Sequence, residues 1–286
     1  MSTFWSILKA APFTAKIGMA IIFTNIFVAA FAPAFAPYTQ TDVIGGRWET
    51  GILSSSSAPH DPPSILGTDL IGRDLFSRLV YGARNTIGIA LLTTLLAFAV
   101  GVTAGFVAAI LRGWVDLALS RLVDILMAIP TLILALMILT VLGTSIPVLI
   151  AVIAILDATR VYRISRAVAM DIEVMEYVEV AKLRGESLWW IIFREILPNA
   201  KSPLIAEFGL RFCFVFLFIA SLSFLGLGLQ PPMADWGSMV RENATGIAFG
   251  IKVALIPAGA IALLTIGVNL VVDWVLQRTS GVRHIE

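Results

Sequence analysis

Two histidines (His60 and His284), one cysteine (Cys213) and five lysines bound the chemistry open to this chain of 286 residues. A phosphate-cradling nucleotide loop needs a Gly-Lys pair followed by serine or threonine. None of Lys9, Lys16, Lys182, Lys201 and Lys252 follows a glycine, so the chain is expected to be no ATPase and no enzyme, with no cofactor of its own. Two histidines in polar ends suggest no Ser-His or Cys-His pairing. A single cysteine allows no internal disulfide, and with histidines so far apart no His/Cys metal cluster is expected. The notable polar groups lie inside apolar runs, where an ionisable residue is a functional candidate by default. Asp124 follows Arg121 by three residues, on one helical face near the cytoplasmic end, and the two are expected to pair, with a role in gating or coupling as the alternative. Arg211 is read as snorkelling or making a polar contact with a neighbouring helix, with a place on the pathway as the alternative.

The elements that must position these groups are membrane spans. The chain is 58% hydrophobic and 14% charged, with a mean hydropathy of +0.93. A soluble protein of this size would carry large exposed apolar patches with such a composition. Six apolar runs stand out, at 17–35, 87–111, 117–142, 148–159, 204–229 and 253–276. The expected fold class is all-α, a polytopic membrane protein of six transmembrane helices. Pro130 is expected to kink the third run and Pro257 to interrupt the last. Gly101 and Gly105 sit four apart, as at a close helix interface. Lys9 and Lys16 place the N-terminus in the cytoplasm, and six spans return the C-terminus there. A signal peptide cleaved near Ala34-Phe35-Ala36 is the competing reading of the first run. The stretch from Pro37 to about Arg84, with its serine tract at Ser54 to Ser57, is expected to be irregular and outside the cytoplasm. The net charge of +1 gives no sign of a nucleic-acid partner.

Between the fourth and fifth runs lies a polar segment, residues 160–203. Val174, Val178 and Ala181 form one helical stripe, and Trp189, Ile192, Phe193 and Ile196 a second. Gly185 turns the chain between them, and Pro198 is expected to end the second helix. Arg160, Arg163 and Arg166 recur every three residues before it and suit lipid headgroups or an acidic partner. The segment reads as a helix-turn-helix docking surface for a soluble partner.

Three sets of residues carry a family resemblance. Glu179, Ala181, Gly185, Leu197 and Pro198 resemble the EAA loop of binding-protein-dependent ABC transporter permeases, with Val180 in place of the usual middle alanine. Before the second span, Gly67-Thr68-Asp69, Gly72-Arg73-Asp74, Ser77-Arg78 and Gly82-Ala83-Arg84 resemble the signature of the peptide/nickel group of these permeases. Physically, Gly67 and Gly72 are turn positions, while Asp69 and Asp74 can cap helix starts or pair with Arg73 and Arg78. This signature either orders the outer end of the span or meets a binding protein. After the fifth span, Ser223 to Gly228, Gln230, Pro231, Pro232, Trp236 and Gly237 resemble the same group. They would form an ordered outer loop with Trp236 at the membrane interface, or line an outer gate.

The resemblance implies a type I ABC importer fold with 1–85 as an N-terminal anchor and extracytoplasmic segment. Residues 86–278 would be the transmembrane core with its cytoplasmic coupling loop at 160–203, and 279–286 a cytoplasmic tail. It implies a bacterial cytoplasmic (inner) membrane location, a second homologous permease, two ATP-binding subunits holding ATP–Mg, and an extracytoplasmic substrate-binding protein. Di- or oligopeptides are the expected cargo. Nickel or another small solute such as an opine or sugar conjugate is the alternative cargo, and a non-transporting scaffold or sensor the alternative class.

Overall fold

In the computed structural model residues 11–51 and 64–279 are described. Lys9, the serine tract, His60, Arg283, His284 and the tail from residue 280 lie outside the described residues. Among the described residues the regular structure is helical, apart from two isolated bridges, Val43 to Arg73 and Thr68 to Asp74. The long helices are α1 (Phe13–Ala30), α3 (Leu75–Leu111), α4 (Gly113–Ala128), α5 (Thr131–Leu142), α6 (Ile146–Glu173), α9 (Leu197–Phe224) and α11 (Leu255–Thr279). Short helices α2 (Ala32–Phe35), α7 (Glu176–Leu183), α8 (Leu188–Trp190) and α10 (Trp236–Asn243) join them, with a π-helical turn at Ile191–Ile196 and a 3-10 turn at Ala244–Phe249.

Among the described residues four stretches are long and apolar enough to cross a membrane: Phe13–Ala30, Leu75–Leu111, Leu188–Phe224 and Leu255–Arg278. The pair α4 and α5 passes the same test jointly, and α6 carries the remaining run, so the helices are consistent with six spans. Leu95, Ile133, Met137 and Val141 are exposed on these helices, as side chains facing lipid would be.

Several expected boundaries move. The third run is no kinked helix: α4 and α5 bend by 88° across Ile129 and Pro130. Ile129 is extended, because the proline ring excludes the residue before it from the helical region. Pro257 interrupts nothing, since it falls in the first turn of α11, where a missing N–H costs no hydrogen bond. Helix α3 starts at Leu75, so residues 75–84, expected to be irregular, are helical. Helix α6 runs on to Glu173, so the polar segment begins as a continuation of a span.

The chain divides into two compact units, one of residues 1–91, 142–149 and 216–271, the other of 92–141, 150–215 and 272–286. Within the first, α1 and α11 cross at Gly18 and Gly267, where a Cβ on Gly18 would lie 2.6 Å from the Gly267 carbonyl. Within the second, α3 packs on α6 through Gly101 and Gly105. A Cβ there would fall 2.6 Å from Val161 Cβ and 2.8 Å from the Tyr162 carbonyl. The four-residue spacing of these glycines lets the two backbones touch.

Candidate functional site

The polar segment folds into an elbow within the second unit. Val178 and Ala181 of α7 are wholly buried, and Gly185 turns the chain at φ +77°, a conformation that costs a side-chain-bearing residue energy. The Gly185 N–H donates to the Lys182 carbonyl at 2.9 Å, and Ser187 caps α8 by accepting from the Trp190 N–H at 3.3 Å. Behind this turn Ile191, Ile192, Ile196, Ala200 and Leu204 pack with Phe106, Ala109 and Ala169 into one core.

The two stripes read from the sequence are only half right. Val174 is exposed because it falls in the break between α6 and α7, where helical phase is lost. In the second stripe Ile192 and Ile196 are buried, but Trp189 and Phe193 are exposed and stack on each other, with centroids 6.2 Å apart. Trp189 lies before the π turn and the other three within it, and the wider i→i+5 bonding there means the four positions do not share one 3.6-residue phase. Pro198 does not end this helix. It lies inside the continuous helical stretch Leu188–Phe224, directly after the π turn. Leu197 packs against the elbow's core, whereas Pro198 is exposed.

The elbow therefore has a buried small-residue face and an exposed apolar one. Tyr177, Val180, Leu183, Trp189 and Phe193 make up the second, Leu183 at 82% exposure, with Glu179 and Gly185 on the same solvent side. Beneath it lies Glu173, the last residue of α6. Its carboxylate accepts from Lys182 of α7 and from Arg112 at the α3–α4 break. Burial would push the Glu173 carboxyl up. The hydrogen bond and charge of Lys182, joined by those of Arg112, outweigh it and hold the group below its ordinary range.

In the first unit the two outer signatures meet in a cap. Asp74 caps α3, accepting from the Ser77 N–H at 2.7 Å and from the Ser64 hydroxyl at 2.6 Å. Asp69 accepts from Arg73 Nε at 2.7 Å and lies 3.4 Å from Arg78 Nε. Both guanidiniums also reach Glu242 of α10, at 2.5 and 3.1 Å. Thr68 donates to the Gly46 carbonyl at 2.7 Å. Gly67 and Gly72 have φ of +85° and +88°, and a Cβ on either would fall within about 2.1 Å of a carbonyl oxygen.

Gly82 and Trp236, from separate motifs, are in contact: a Cβ on Gly82 would lie 2.9 Å from the indole. Trp236 is not exposed to lipid or water as an interface anchor would be. It is 2% exposed, its Nε1 donates to the Leu79 carbonyl at 2.9 Å, and its ring meets Phe216 edge-on. Gly237 is buried against the Ala220 carbonyl. Gln230, Pro231 and Pro232 form an exposed turn, with the Gln230 amide donating to the Gly226 and Gly228 carbonyls. Arg84 is exposed and stands apart from the Asp69 network.

The ionisable residues inside the runs also find partners. Asp124 pairs with Arg163 at 2.7 Å and not with Arg121, so a neighbouring helix wins over the i, i+3 position. Arg211 lies 2.7 Å from Glu207 and 3.6 Å from Asp157, over the ring of Phe214. Asp157 and Glu207 are both nearly buried. Glu173, Glu242 and Glu207 were not singled out from the sequence. Their signal was weak: Glu173 is one of several charges in the polar segment, Glu242 lies between two apolar runs beside Arg241, and Glu207 is near the start of the fifth run.

Long apolar helices define a multi-pass membrane protein, with a buried ion network in a cap and an elbow with one exposed apolar face. Residues 101–281 match the model of the family described as binding-protein-dependent transport system inner membrane component, and the chain belongs to that family. It is 34% identical over 261 residues to the dipeptide transport system permease DppC of Alkalihalophilus pseudofirmus, covering 91% of this chain and 83% of that one. Over 208 residues it is 34% identical to the glutathione transport system permease GsiD of Pectobacterium atrosepticum, covering 73% and 69%. Over 266 residues it is 32% identical to the probable D,D-dipeptide transport system permease DdpC of Escherichia coli, covering 93% and 86%. The chain is thus a permease subunit of an ABC importer and not itself an enzyme. It works in the membrane with an ATPase and a substrate-binding protein.

Proposed function

We propose that this permease translocates di- or oligopeptides, with ATPase subunits gripping the exposed apolar face of the elbow. One observation carries the reading: α7, α8 and the π turn present Tyr177, Val180, Leu183, Trp189 and Phe193 to solvent while Val178 and Ala181 are buried. An apolar patch of this kind marks a protein contact, and Gly185 holds the two arms at a fixed angle. The elbow and both termini then lie in the cytoplasm, and the cap faces the binding protein. A second homologous permease and two ATPase subunits holding ATP–Mg complete the assembly. Closure of the ATPases would drive the elbow as a lever and rock the spans between inward and outward openings. The peptide cargo is supported by relatives named for dipeptides, D,D-dipeptides and glutathione.

Leu183→Asp and Gly185→Pro test the reading in cells that depend on this system for alanyl-alanine uptake. Leu183→Asp should insert normally yet lose the ATPase subunits on purification. Gly185→Pro should keep insertion and lose uptake. Native uptake by both variants would overturn the lever, and a native complex that never takes up alanyl-alanine or a longer peptide would overturn the cargo.

A further inference from the structure

We propose that Glu173 is the positioning residue that transmits movement of α7 to the α3–α4 break, so that one buried carboxylate links the docking element to a membrane helix. This rests on the reading of α7 as the element gripped by the ATPase.

Three observations within the second unit support it. Glu173 closes α6, is 6% exposed, and divides its two oxygens between Lys182 and Arg112. Lys182 follows the buried Ala181 on α7, so it moves with that helix. Arg112 stands at the junction of α3 and α4 with φ +50°, followed by Gly113 at φ +55°. A non-glycine residue in that region stores strain and persists only where its surroundings hold it. Helix α4 is further tied to α6 by Arg166 on Asp116, at 2.5 Å, and by Arg163 on Asp124, at 2.7 Å. A displacement of α7 that carries Lys182 away changes what Glu173 offers Arg112, and with it the restraint on the strained turn that opens α4.

The cations make the idea separable from a folding role. Arg112 is 56% exposed and Lys182 35%, so each can turn to water when the carboxylate is neutralised. Glu173→Gln keeps the shape and leaves no lone cation buried.

The test uses the complete transporter with its ATPase subunits and binding protein in lipid vesicles, with radiolabelled alanyl-alanine as probe. ATP hydrolysis and uptake are measured on the same preparation. Glu173→Gln should retain its ATPase subunits and hydrolysis within about twofold while uptake per ATP falls about tenfold, a normal size for coupling between sites. Lys182→Met should behave alike, the double variant should be no worse than either single one, and Glu173→Asp should recover part of the ratio. Native uptake per ATP in Glu173→Gln would overturn the role, as would a parallel fall in hydrolysis and uptake or release of the ATPase subunits. Leu183→Asp is purified alongside. If it keeps its ATPase subunits, the docking reading fails. If it loses them while Glu173→Gln transports normally, the docking reading stands and only the transmission by Glu173 fails.

Discussion

The cap and the elbow are both built on a carboxylate shared by two cations, and they differ in how far water reaches the pairs. In the cap, Asp69 and Arg78 have side chains 1% exposed, Arg73 9% and Glu242 18%. In the elbow, Glu173 is equally sheltered, but Arg112 and Lys182 keep 56% and 35% of their surface in solvent. Breaking a buried pair leaves an uncompensated charge and is costly, whereas a half-solvated pair exchanges its partner for water at small cost. The same chemistry thus locks one region and lets the other change partners. The glycines repeat the contrast. Gly67 and Gly72 in the cap are hemmed in by backbone, while Gly185 in the elbow has nothing within 4 Å of where a Cβ would be.

Substitutions that remove this difference test it. The largest effect is expected from Asp69→Ala, which leaves Arg73 and Arg78 with Glu242 as the carboxylate between them and should cost about 3–5 kcal/mol. It would be read as a lower thermal midpoint of the solubilised protein and less chain in the membrane; an unchanged midpoint would mean the cap is not locked by charge. Gly72→Ala comes next. Its Cβ would lie 2.0 Å from the Gly45 carbonyl at φ +88°, for a loss of about 2–3 kcal/mol. Gly185→Ala meets no neighbour and carries the backbone term alone, about 1 kcal/mol. Equal losses in these two glycine variants would erase the contrast. Leu183→Asp, on the open face, should change stability by no more than about 0.5 kcal/mol while releasing the ATPase subunits. The smallest effect concerns pH. The Glu173 carboxyl is held below its ordinary value, so its pairs contribute fully at neutral pH and are lost as pH falls through that lowered value. The difference in thermal midpoint between the native protein and Glu173→Gln should be constant around neutrality and close in acid.

What could be read ahead of the structure depended on how local the physics was. The cap's turn at Gly72, the helix cap at Asp74 and the pairing of Asp69 with Arg73 involve residues at most four apart, and all are as expected. Asp124 misled because the i, i+3 rule ranks Arg121 first, while Arg163, thirty-nine residues away, is delivered by helix packing. Trp236 misled because an aromatic at the end of a span suits an interface, and only the approach of Gly82 makes a pocket for it.

By itself the sequence determined that this chain crosses a membrane as helices, that it carries no phosphate loop, and that Gly185 and Gly72 are turns. Apolar run length, a missing Gly-Lys pair and backbone sterics each act over a few residues and leave a mark wherever they occur. Only the tertiary structure decided that α4 and α5 fold back at 88°, that Trp189 and Phe193 are exposed while Ile192 and Ile196 are buried, and that Glu173 joins Lys182 to Arg112. Those outcomes depend on which helix faces meet, and a small change in helical phase is enough to alter the meeting.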